Sequence, residues 1–449
     1  MKRSLFLLIS MLVAIGIIAG CASNSSSGDD SSNTKDASSG DTNNTDTNTN
    51  TNDNASNDEA SDEVVTLDFF QFKVEIADQL QEMINEYEAE HPNVKIKLET
   101  VGGGADYGAA LKAKFASGEE PDIFNNGGFK ELELWKEHLA DLSNEPWVEN
   151  LLPIGKVPMT DTDGKLYGMP VNLEGYGFIY NKDLFEQAGI TEKPTTLSEL
   201  KAAAQKLQDN GVIPFSAGYG EWWVIGQHLL NIPFAQQDDP VAFIEGLYDG
   251  SETFIGNDHF KEFQEVVDTE IGFGNENPIT TDYNTQVTLF ASGETAMLQQ
   301  GNWTENMIYE INPDINMAFL PITLNDDADA DRLPVGVPNN WVLNKDSENL
   351  EEAKAFLNWM VSSETGKRFI TEEFAFIPAF DNIEASGLGA LGQSILEYSK
   401  DEKTIPWTWF RWPDGANMEF AAKIQEYVAG KIEYSEVIES FQSIWDDMK

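Results

Sequence analysis

Cysteine is almost absent: Cys21 is the only one in 449 residues, so no intramolecular disulfide can form and the fold must be held by core burial. Histidine is nearly as scarce. The four, at positions 91, 138, 228 and 259, show no metal-ligand spacing, and no second thiol exists to join them. Basic side chains are few as well, 28 Lys and Arg against 77 Asp and Glu, a formal charge of −49. Such a field argues against nucleic acid and anionic lipid surfaces as partners and disfavours a polyanionic ligand.

Several catalytic and cofactor signatures fail at one decisive position. Gly102-Gly103-Gly104 lacks the Gly-Lys-Ser/Thr ending of a phosphate loop. Pro214 occupies the first position of what would otherwise be a nucleophile elbow at Ser216. An EF-hand loop with Gly164 as its glycine would place Pro170 where the last glutamate belongs, and Asp327-Ala328-Asp329-Ala330-Asp331 has no such glycine. Both acidic runs read as solvated turns, so no metal and no other cofactor is expected. With 77 acids, some pair of carboxylates matches a glycosidase spacing by number alone, which carries no weight. There are no internal repeats.

What is present begins with Lys2-Arg3 and an apolar run over residues 5–19, broken only by Ser10 and Gly16 and short for a bilayer span. The run ends Ile18-Ala19-Gly20-Cys21, which resembles a bacterial lipobox; it predicts a leader over 1–20 and lipidation of Cys21 with palmitate-type chains. Residues 22–63 are almost wholly Ser, Asn, Asp, Thr and Gly, with ten acids and one lysine. They have nothing to bury and predict a disordered tether, about 35 Å end to end as a flexible coil. Two leader bases and a tether of −9 leave −42 on residues 64–449. At 386 residues that body exceeds what one core usually supports, so two lobes are expected.

The body opens as strand 65–70, helix through Tyr87, strand 94–99, helix 107–116 and strand 123–124, an order that predicts a parallel sheet. Farther on, Thr196 and Glu199 form a capping box for a helix ended by Gly211. Helices are expected at 283–291, from Trp303, at 350–361 and twice in 417–449, with strands at 214–216, 295–299, 317–322 and 335–343. The chain turns around residues 163–189. Asp163-Gly164 is a turn, 165–169 a short strand stopping at Pro170, and Phe178-Ile179-Tyr180 a second strand. Between them Val171–Tyr176, polar and aromatic, predicts a hinge whose side chains face a gap between two sheets.

Four stretches carry a resemblance: YGMPVNLEGYGFIYNKDLFEQAG (167–189), AKFASGEEPDIF (113–124), LFASGETAMLQQGNW (289–303) and VGVPNNWVLNKDSENLEEAKAFLNWMVSSETG (335–366). In this order and spacing the chain resembles the family 1 extracellular solute-binding proteins of bacterial ABC importers, the sugar-binding, maltose-binding-like group. The resemblance implies an α/β, two-lobed periplasmic-binding-protein-like fold of type II, hinged around a ligand cleft. It places crossings near 172–175, 320–324 and 377–381, hence lobe 1 as 64–172 with 322–378 and lobe 2 as 173–321 with 379–449. It also implies a non-enzymatic monomer on the outer face of the cytoplasmic membrane. That monomer would capture a mono- or oligosaccharide for the permease subunits of an importer. The residues alone leave open a lipid-anchored glycosidase or esterase, and a receptor that presents its ligand to a sensor kinase.

A sugar offers polar edges and apolar C–H faces, so its binder needs flat aromatic platforms and planar hydrogen-bonding groups. By resemblance, Trp303 after Gly301-Asn302 lies on the cleft floor, and Glu174 in the hinge holds sugar hydroxyls. Asn125-Asn126 follow the third strand, at the carboxyl end where open α/β sheets bind ligands. Trp222 and Trp223 cannot both pack on one helix face, so at least one should reach the cleft or solvent. Trp407, Trp409, Arg411 and Trp412 crowd IPWTWFRWP, a region from which the family brings an aromatic to the sugar; Trp341 is a weaker candidate. Trp135, Trp147, Trp359 and Trp445 are assigned to packing or surface.

Overall fold

The computed structural model describes residues 64–385 and 387–449; the expected leader, Cys21 and the expected tether lie outside the described residues. Its strands are β1 Val65–Gln71, β2 Val94–Thr100, β3 Ile123–Asn126, β4 Met169–Pro170, β5 Glu174–Asn181, β6 Ile213–Ser216, β7 Thr295–Gly301, β8 Met317–Leu320, β9 Leu333–Gly336, β10 Asn340–Leu343 and β11 Thr404–Ile405.

The first sheet has the order β2-β1-β3-β10-β4. β1 runs parallel to β2 over its whole length and parallel to β3, as the alternating strand–helix order requires. β10 is antiparallel to β3 and β4, so the sheet is mixed rather than parallel. The reason is topological: β10 returns from the other lobe and does not arrive through a helical crossover. β2 alternates buried Val94 and Ile96 with exposed Lys95 and Lys97, the charged edge that discourages further strand pairing. The helix Ala77–Glu90 lays Leu80, Met83, Ile84 and Tyr87 on this sheet at helical spacing.

The second sheet has the order β11-β9-β5-β7-β6, with β8 also on β5. Both faces are covered, so β5 sends Tyr176 and Phe178 into one core and Ile179 into another. Thr196 caps the helix Leu197–Asp209 by accepting from Glu199 N, as the capping box predicts. The helix Tyr434–Met448 seals the larger core with Val437, Phe441 and a fully buried Trp445. Trp135, Trp147 and Trp359 are likewise buried packing residues.

Three short crossings join the sheets. Residues 171–173 link β4 in the first sheet to Glu174, which pairs with Gly336 in the second. The return is not at 320–324, because β9 still pairs with β5 and β11; it falls at residues 337–339, just before β10. Residues 321–332 are held to the second lobe by their own caps and ion pairs. Asn325 O accepts from Leu197 N, Asp326 caps Ser198, and Asp331 meets Lys403 at 2.7 Å and Tyr398 at 2.9 Å. The third crossing lies between Ile383, in the first core, and Leu388, in the second lobe, somewhat beyond 377–381. Val171 N donates to Asn339 O, so the first two passages lie side by side, and Leu173 N donates to Ile377 O. Among the described residues no helix is long and apolar enough to cross a membrane, and no group of three His, Cys, Asp or Glu is placed to hold a metal.

Candidate functional site

Between the lobes lies a cleft of about 440 Å³, within the usual range for small-molecule sites. The first lobe contributes Phe72, Lys73, the Gly102–Gly104 turn and Tyr107; the second contributes most of the aromatic wall. At the mouth the lobes touch. Lys112 Nζ is 2.6 Å from Asp414 Oδ2, and the Arg411 guanidinium sits 4.0 Å over the Phe129 ring. Phe410 presses on Gly127, where a Cβ would stand 2.3 Å from its Cε1, so only glycine fits.

Trp303 stands on the second-lobe wall with its Nε1 donating to Gln300 Oε1 at 3.0 Å. Gly301 has extended backbone, so no sharp turn explains the glycine. A Cβ there would lie 2.0 Å from Trp303 Cζ3: the indole lies flat on the strand and needs that space. Trp407 and Trp409 pack against each other at 4.5 Å with rings tilted by 31°, and Trp407 meets Trp303 edge-on at 6.4 Å. Their loop is anchored by buried Asn231, whose Oδ1 accepts from Thr408 N and Oγ1 while its Nδ2 donates to Pro406 O and Tyr176 Oη. Trp222, Trp223 and Trp412 also line the cleft, Trp412 with its other side against Phe234 at 4.2 Å. The indole N–H groups of Trp222, Trp407 and Trp412 and Oδ1 of Asn339 are buried without a partner among the described residues.

Glu174 opens β5 at the crossing and is almost fully buried. Its Oε1 receives Lys73 Nζ at 2.6 Å and Asn172 Nδ2 at 3.0 Å; Lys73 also reaches Glu75 at 3.0 Å. Burial pulls the Lys73 ammonium down, but the two carboxylates outweigh it and hold its pKa above the ordinary lysine value. Burial raises the Glu174 carboxyl and Lys73 opposes that rise. On the first-lobe side Glu131, accepting from Gly127 N at 2.6 Å, is pushed by burial up to about 7.

Four expected residues are not on the cleft wall. Asn125 pairs with Trp341 in the sheet and turns its Oδ1 to Phe72 N; Asn126 closes the turn after β3 by accepting from Gly128 N. Trp341 is 2% exposed and packs edge-on against Phe69 in the first core. Arg411 is spent on Phe129 at the interlobe contact. Conversely, the wall contains Lys73, Tyr283 and His228, which sequence reasoning missed. Lys73 could have been found as a charge just beyond the carboxyl end of β1. His228 lies on the π-helical stretch Val224–Leu229, before Pro233, which cannot donate to Leu229 O.

Residues 73–367 match the family described as bacterial extracellular solute-binding protein, and the chain belongs to that family. It is 23% identical to the melibiose/raffinose/stachyose-binding protein MelE of Bacillus subtilis (strain 168) over 74% of this chain and 76% of that one. It is 22% identical to the multiple sugar-binding protein of Streptococcus mutans over 68% and 73%. Among solved structures, the solute-binding protein RafE in complex with raffinose superposes with a TM-score of 0.75 at 21% identity, covering 86% of this chain and 100% of that one. A chitin oligosaccharide binding protein gives 0.74 at 22%, covering 86% and 99%.

Proposed function

We propose that this protein captures a neutral oligosaccharide between its lobes and delivers it to the permease subunits of an ABC importer. The observation that carries this reading is the cleft wall: Trp223, Trp303, Trp407, Trp409 and Tyr283 around the Glu174–Lys73 pair. Aromatic faces suit the C–H faces of pyranose rings, and a carboxylate suits their hydroxyls. The relatives whose names state a sugar ligand point the same way. We further propose that the protein acts as a monomer outside the cell, anchored by lipid on Cys21 at the outer face of the cytoplasmic membrane, and that it binds without turnover. Titration calorimetry against a panel of neutral oligosaccharides that includes raffinose and stachyose, with product analysis of each mixture, tests this. Saturable binding of at least one member with no hydrolysis is expected. No binder, or released monosaccharide, would overturn the reading.

A further inference from the structure

His228 is the one histidine in the cleft wall, and its ring packs among uncharged aromatics. Tyr176 stacks on it at 4.7 Å and 23°, Trp303 lies at 4.8 Å, Trp409 at 5.4 Å, and Trp223 meets it edge-on at 5.3 Å. Its backbone carbonyl accepts the Tyr176 hydroxyl at 2.8 Å, which fixes the residue from both ends. The two ring nitrogens differ. Nδ1 is buried and has no partner among the described residues, whereas Nε2 is not among those buried orphan atoms, makes no hydrogen bond to the described residues, and belongs to a side chain that lines the cleft. An N–H buried without an acceptor is rarer in proteins than an acceptor left without a donor, so the proton belongs on Nε2.

The geometry points to His228 as a further ligand-binding residue, its Nε2–H donating a hydrogen bond to an uncharged ligand oxygen, a sugar hydroxyl or ring oxygen. This rests on the oligosaccharide reading above. A protonated imidazolium would be a poor fit for this place. Burial, with the Lys73 charge as a second cause, pushes the ring down to about 3, and Lys73 is the only charged group that acts on it among the described residues. The ring therefore stays neutral and keeps its single donor across physiological pH.

The test has a ligand-free arm and a ligand-bound arm. With only four histidines, ¹⁵N-histidine spectra of the whole protein can be assigned by single substitutions. Without ligand, His228 should show a neutral Nε2–H ring unchanged between about pH 5 and 8, while a histidine of ordinary pKa titrates. A ring that titrates near pH 6.5, or carries its proton on Nδ1, overturns the inference whatever the ligand. In the second arm, the tightest binder of the oligosaccharide panel should shift the Nε2 signal. His228→Phe, which keeps the ring and its stacking, should weaken binding about three- to tenfold with little change in melting temperature. His228→Gln should recover part of that loss. Full affinity in His228→Phe would make His228 a packing ring only. A panel with no binder would instead sink the oligosaccharide reading.

Discussion

Trp303→Ala is the substitution that separates a binding platform from a core residue. The indole is half-buried, lies flat over Gly301, and is pinned by Gln300 at 3.0 Å, so its orientation is set before ligand arrives. A preorganised aromatic anchor costs roughly 2–4 kcal/mol of binding when truncated, a loss of about 30- to 700-fold in Kd. Because part of the ring faces the cleft, truncation removes less core than a buried tryptophan would, and the melting temperature should fall by only a few degrees. Gly301→Ala is the matched perturbation. It keeps the indole but places a Cβ about where Cζ3 sits, forcing the ring off the strand, so affinity should fall in step. Calorimetry on both variants, with thermal melts, decides the matter. Trp303→Ala that melts far below wild type but binds equally well would refute the assignment and make Trp303 core.

Three other outcomes are expected. Glu174→Gln should cost roughly 1–2 kcal/mol of affinity and also lower the melting temperature, because buried Lys73 would keep only Glu75 as a charged partner. An unchanged melting temperature would contradict the buried pair. Glu270, fully buried beside Tyr219, is raised by burial to about 8, above its unfolded value. Its contribution is therefore complete at acidic pH and is lost as pH rises toward 8, at up to about 1.4 kcal/mol per pH unit. Denaturant titrations from pH 5 to 9 should show that decline, and Glu270→Gln should flatten it; an identical slope would refute the cause. Cys21→Ala should release protein from the membrane fraction, and retention there would contradict lipid anchoring.

Much of the first lobe was legible because its signals are local. Alternation in 94–99, apolar spacing in 76–87 and the strand–helix order all depend on neighbours in sequence, and each became the expected element. The second-lobe helices with clear caps, such as Leu197–Asp209 and Tyr283–Ala291, were equally readable. The destination of β9 was not. Leu333–Gly336 is buried on both faces, so its pattern names no sheet, and its partners Glu174 and Ile405 are far away in sequence. The candidate site divides in the same way. Tryptophan density marked the wall, but composition cannot separate Trp303 from Trp341: one sits over a glycine at a strand end, the other packs edge-on against Phe69 in the first core. Asn125 stands at the ligand-binding end of its strand as expected, yet its side chain is buried away from the cleft with its Oδ1 accepting from Phe72 N. Lys73 finds Glu174 across 101 positions, a pairing visible only once the lobes are folded together.

The central claim is that ligand is held between the lobes and keeps them closed, the hinge motion of periplasmic binding proteins. Small-angle scattering on the protein, empty and then saturated with the tightest oligosaccharide of the panel, tests it most directly. A smaller radius of gyration on saturation, with the bound curve matching the closed arrangement in which Lys112 meets Asp414 and Phe410 seats on Gly127, is the expected result. Identical curves at full occupancy, from an empty protein that is already open, would contradict it.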